Sequence, residues 1–188
     1  MRICDIQNYS PNCPICNFLT DDETDKIYSG RHIEVALNPR WSPHLFRTAL
    51  IPKRHLGESG KYGLELLGDC EREEYGLLRR ATTDAIIRAA RTTGNRLKIR
   101  EEQLHIDYME RPSIHPSGDL IPQYYDPAKL RGFIFPRYLD AEMEPNSSNV
   151  KKVSVIVASF PKSESGRLTM PRLLREEMAN VLKKHFKL

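Results

Sequence analysis

Two cysteines three positions apart, Cys13 and Cys16 in "PNCPIC", constrain this chain more than any other feature. Such a step in a tight loop lets two thiolates point at one ion. Zn²⁺ favours sulfur donors and completes a tetrahedron with two more ligands. The two remaining cysteines, Cys4 and Cys70, are isolated, so the other ligands should be histidines. The chain has six: His32, His44, His55, His105, His115 and His185. His185 falls in a C-terminal helical pattern and is expected to be a solvated cation. His55 closes a strand in "IPKRH" and His115 opens another in "HPSGD". Strand ends suit ligation because a sheet fixes their separation. The preferred set is Cys13, Cys16, His55 and His115, with His105 as a substitute for one histidine. The competing reading is a free or redox-active thiol pair with unrelated histidines. Redox pairs of the thioredoxin type sit between a strand and a helix. Here Pro11 and Pro14 flank a segment, residues 1–24, that reads as irregular.

The length of 188 residues suits one domain with a real core. No apolar run approaches the roughly 20 residues of a membrane helix. The first residues lack the apolar centre of a signal peptide. A cytoplasmic protein with no membrane contact is therefore expected, and there paired cysteines point to metal or redox chemistry rather than disulfides. The net charge of +4 fits an anionic ligand without demanding nucleic acid.

Along the chain, "KIYSG" and "HIEVALNP" read as short strands around a turn at Gly30, with Ile33, Val35 and Leu37 alternating. "LFRTALIP" reads as a third strand. Residues 68–94 carry Tyr75, Leu78, Ala81, Ala85 and Ala89 at helical spacing, with Asp69 placed to cap the start and Gly94 to end it. "LKIREEQLHIDYM" reads as strand with a turn near Glu101, setting Leu104, Ile106 and Tyr108 on one face and His105, Asp107 and Met109 on the other. Another strand follows in "SIHPSGDLIP". Residues 125–152 read as loop and "KVSVIVASF" as a buried strand. The last segment reads as a helix capped by Thr169. The order implies an α+β domain with a mostly antiparallel sheet and a long helix, plus a C-terminal strand and helix. The whole chain, 1–188, forms one domain, with 1–24 as the metal-binding segment and 126–188 as a C-terminal extension.

Four segments in order resemble the histidine-triad superfamily, in particular its zinc-bearing galactose-1-phosphate uridylyltransferase branch. They are "CPICNFL", "ALNPRWSPHLFRTALIPKRHL", the helix from Asp69, and "IHPSGDLIPQYY", together about residues 13–125. The resemblance implies structural zinc at Cys13, Cys16, His55 and His115, a nucleotide or phosphorylated small molecule as ligand, and a homodimer. The signature strand of that family reads His-x-His-x-His, or His-Pro-His-Gly-Gln. Its second position is the nucleophile and its third contacts phosphate. Here those positions hold Ser117 and Asp119.

Imidazole is a good phosphorus nucleophile, whereas a serine hydroxyl is weak unless a base activates it. Asp119, two residues along on the same strand face, could be that base. It would also repel a phosphate unless a metal bridged the two. Three readings follow. The first is an enzyme on a phosphorylated or nucleotide-like substrate, a hydrolase or nucleotidyltransferase, with Ser117 and Asp119 catalytic. The second is a non-catalytic binding or interaction protein. The third is unrelated chemistry on the same fold. Substrate-contact candidates are Asn38, Trp41, His105, Asp107 and Gln123, of which Asn38 rests on the resemblance. For Trp41 the alternative is core packing, for Asn38 a turn beside Pro39. Lys53 and Arg54 are expected to be solvated cations rather than phosphate ligands. Glu176 and Glu177 interrupt the basic C-terminal helix, so nucleic acid is not expected there.

Overall fold

In a computed structural model, residues 8–20, 25–37, 46–56, 64–94, 104–111, 115, 117–124 and 172–188 are described. Their elements are α1 (Pro14–Thr20), β1 (Lys26–Ser29), β2 (Ile33–Leu37), β3 (Thr48–Pro52), α2 (Asp69–Gly94), β4 (Leu104–Arg111), β5 (Ser117–Tyr124) and α3 (Arg172–His185). The expected α+β class is found. The five strands form one antiparallel sheet in the order β1-β2-β3-β5-β4. The turn expected near Glu101, the strand at 152–160 and the Thr169 cap lie outside the described residues.

The side-chain period of two sorts the sheet into two faces. Ile33, Val35, Leu37, Leu50 and Leu120 form one core with Leu78, Ala85, Ile86 and Ala89 of α2 and Met178, Ala179 and Leu182 of α3. All five residues expected to line the buried face of α2 are buried. Ile106 and Tyr108 pack against this core, while Met109 points to solvent, as the alternation of β4 predicts.

The other face is not left to solvent. Ala49 and Ile51 of β3 pack with Cys13, Cys16 and Leu19. The N-terminal segment is therefore not wholly irregular: Pro14–Thr20 is a short helix lying on this second face. Pro14 opens it, where a missing N–H costs nothing. Glu34 on β2 is buried as well. Alternation places it outward, yet it is fully buried, accepting from the Ser29 hydroxyl at 2.9 Å, with Lys53 Nζ 3.7 Å away. Burial pushes its carboxyl up, and Ser29, Lys53 and Lys26 draw it part of the way back.

The start of α2 differs from expectation. Gly68 occupies the cap position, its carbonyl accepting from Arg72 N–H, and its own N–H donates to Glu71 Oε2 at 2.7 Å. Glu71 thus supplies the reciprocal half of a capping box, and Asp69 is already the first helical residue. Arg54 grips the same Glu71 through Nε at 2.9 Å and Nη2 at 2.7 Å, which holds that carboxyl below the usual range. Lys53 Nζ donates to Gly30 O and the Ser29 hydroxyl, 2.5 and 2.8 Å away. Both cations brace the scaffold instead of standing free in solvent.

On the helix face of β5, Gly118 lies under a pair of tyrosines whose hydroxyls are 2.9 Å apart, Tyr75 and Tyr108. A Cβ there would intrude on the Tyr75 hydroxyl and stand 2.8 Å from the Tyr108 ring. Gly118→Ala should therefore cost about 1–3 kcal/mol by overpacking. Tyr75→Phe in the same chain should recover part of the loss, because it removes the obstructing atom. Urea midpoints measure both. A neutral Gly118→Ala would contradict this packing.

Candidate functional site

Cys13 and Cys16 sit at the start of α1, one just before the helix and one in its first turn. His55 lies three residues beyond β3, and His115 two residues before β5. Because β3 and β5 are paired neighbours, both histidines arrive at one end of the sheet, where α1 covers it. Cys16 Sγ is 3.3 Å from His55 Nδ1 and 3.4 Å from His115 Nδ1, and Cys13 Sγ is 3.8 Å from His115 Nδ1. All four ligand atoms lie within 4.8 Å of one another, and all four residues are buried. The cluster can hold a metal ion. It is the preferred quartet, so a sequence step of three residues and two strand ends, 102 positions apart at the extreme, meet as expected.

The chemistry of the donors suits an ion. Burial pushes the Cys16 thiol up, with Cys13 adding to the rise. His115 is pushed down to about 4, first by burial and then by His55, so its imidazole is neutral near pH 7. Its Nε2 lies 2.6 Å from the Pro52 carbonyl oxygen. That contact assigns the proton to Nε2 and leaves the Nδ1 lone pair facing the sulfurs, the outer-shell arrangement that orients a ligating histidine. The His55 and His115 rings meet edge to face, 5.3 Å between centroids. Nothing in the residue spacing of the sequence announced the Pro52 carbonyl as a partner.

Ser117 and Asp119 share the face carrying Ala49, since Asp119 and Ala49 are register partners. Ser117 is 6% exposed and Asp119 is fully buried. Arg47, 5% exposed, reaches Asp119 Oδ2 with Nη2 at 2.5 Å. Arg47 was not singled out from sequence. Its signal was the one charge in the run "LFRTALIP", two positions before Ala49. Phe46, just before it, takes a left-handed backbone (φ 60°) and is fully buried, setting the turn into β3.

Of the substrate-contact candidates, Asp107 lies on β4, half-buried. His105 and Gln123 are register partners on β4 and β5. Asn38 and Trp41 lie outside the described residues. His185 is no solvated cation. It is half-buried, and burial first, then Lys184, Arg88 and Lys187, push its imidazole below the ordinary range.

No family model, no curated protein and no solved structure matches the chain. No helix among the described residues is long and apolar enough to cross a membrane.

Proposed function

We propose that the chain is a zinc-stapled binding protein on a histidine-triad-like sheet, and that position 117 carries out no nucleotidyl transfer. The observation that carries this reading is the burial of both signature positions. A nucleophile must be reached by its substrate. Ser117 is 6% exposed, and the carboxylate that would have to act as its base is buried against the Arg47 guanidinium. Its Oδ2 already accepts from Arg47, and the whole residue is closed off from solvent.

Zinc is the ion this donor set favours. Bonds of about 2.3 Å to sulfur and about 2.0–2.1 Å to nitrogen place tetrahedral sulfur and nitrogen ligands about 3.5 Å apart. Three of the four sulfur–nitrogen separations, 3.3, 3.4 and 3.8 Å, scatter around that value, and the fourth is no longer than 4.8 Å. Four protein donors leave no position for water, the mark of a structural rather than a catalytic site. Zinc bound here would fasten α1 to the ends of β3 and β5.

The ligand class follows from the resemblance alone: a nucleotide or phosphorylated small molecule. Calorimetric titration with nucleotides, beside product detection on the same samples, tests the reading. Saturable binding without turnover is expected. Turnover that Ser117→Ala abolishes would overturn the non-catalytic assignment, and absence of any binding would remove the nucleotide from it.

A further inference from the structure

The helix layer brings together charges that are far apart in sequence. His185 stands near the end of α3, and the charged groups acting on it are Lys184 and Lys187 from its own segment and Arg88 from α2. Arg88, Lys184 and Lys187 are all exposed, as are the adjacent Arg91 and Lys183. Arg88 of α2 and Lys184 and Lys187 of the C-terminal segment thus stand together around His185, with Asp84 one turn away from Arg88 on α2. The formal net charge of the entire chain is only +4. Glu176 and Glu177, which dilute the C-terminal helix when it is read alone, lie about two turns back from Lys183 and Lys184. Arg88 joins the patch only through helix packing.

An aromatic pair adjoins the cations, packed against the core and half-buried. Phe186, between His185 and Lys187, stacks on Tyr28 with centroids 4.8 Å apart, and both rings are partly exposed. Cations beside aromatic rings suit single-stranded nucleic acid, whose phosphates meet the charges while bases stack. A lipid surface needs a broader apolar face, and an acidic peptide makes no use of the rings.

We propose that Arg88, Lys184, Lys187 and Phe186 form a sequence-tolerant binding surface for single-stranded nucleic acid. This surface lies on the helix layer, apart from the Cys/His cluster under α1, so it stands or falls independently of the zinc-stapled reading. The cations would follow the phosphodiester backbone, and the Phe186–Tyr28 pair would meet a base.

The test is fluorescence anisotropy with a labelled mixed-sequence RNA 12-mer, with a poly-glutamate peptide and phosphatidylserine-containing vesicles as competing probes. The RNA should bind saturably. Its log K should fall with log salt, and Arg88→Gln/Lys184→Gln/Lys187→Gln should reduce the slope by about 2, at about 0.7 per lost phosphate contact. The same variant should weaken binding at least tenfold at low salt, and Phe186→Leu should weaken it without changing the slope. Arg80→Gln, an exposed cation elsewhere on α2, should leave it unchanged. Metal content and the far-ultraviolet circular dichroism of the variants show that the fold persists; should the triple variant unfold, Lys187→Gln alone carries the comparison. No RNA binding, equal loss in Arg80→Gln, or poly-glutamate or vesicles bound as tightly as RNA would each overturn the proposal.

Discussion

Removing the metal should cost the folded chain about 4 kcal/mol or more, the stabilisation expected when free ion exceeds its dissociation constant about a thousandfold. For a chain of this size that corresponds to a melting temperature lower by about 10 °C. The reason lies in how little else holds α1. It has seven residues, too few to be stable as an isolated helix, and its buried side chains are Cys16 and Leu19. The apolar surface beneath it is small, chiefly Ala49 and Ile51. Without an ion, two buried thiols and two buried imidazoles must find other partners in the same space. Cys16→Ala should show the same loss and become insensitive to chelator. Hydrogen exchange should quicken first in α1 and in β3 beneath it, while α2 keeps its protection. A chelator that strips the protein yet leaves melting and exchange unchanged would contradict the staple.

The second large effect belongs to the ion pair on the same face. Asp119→Ala should destabilise the chain by about 3–5 kcal/mol, because it removes the carboxylate that a buried guanidinium faces. Asp119→Asn should cost less, since the amide oxygen still accepts a hydrogen bond. Arg47→Met/Asp119→Leu should return most of the stability, as apolar residues of similar volume commonly do for buried pairs. Denaturant midpoints at constant slope give the comparison. If Asp119→Ala costs less than about 1 kcal/mol, the pair behaves like an exposed one and its burial plays no part in stability.

Much of this architecture was legible in the residues. The alternation of Ile33, Val35 and Leu37 and the helical spacing from Tyr75 to Ala89 each report a single buried face, and a single face is what local periodicity records. The ligand quartet was legible for another reason: sulfur donors at a step of three leave few ways to complete a coordination shell, and histidines at strand ends supply one. What periodicity could not show was the second covering of the sheet. Ala49 and Ile51 read as residues of an open face until α1 packs on them, and α1 itself is too short and too proline-flanked to read as a helix. The partner of Asp119 was hidden because Arg47 is 72 positions away, and the pairing of β3 with β5 brings them together. The capping of α2 turned on a choice between Gly68 and Asp69 that composition favours wrongly: the acidic residue is the commoner cap, but Glu71 reaches back to the glycine N–H. The basic patch escaped for the same reason as the ion pair, since Arg88 comes to His185 and Lys187 only through the packing of the helices.

The central claim is that two sulfurs and two nitrogens of this chain close around one zinc. X-ray absorption at the zinc edge, on protein purified without chelator, addresses it directly. The expected spectrum has one zinc per chain with two sulfur neighbours at about 2.3 Å and two nitrogen neighbours at about 2.0–2.1 Å, and Cys16→Ala abolishes it. Protein without stoichiometric zinc, or zinc in a shell of oxygen ligands, would contradict it.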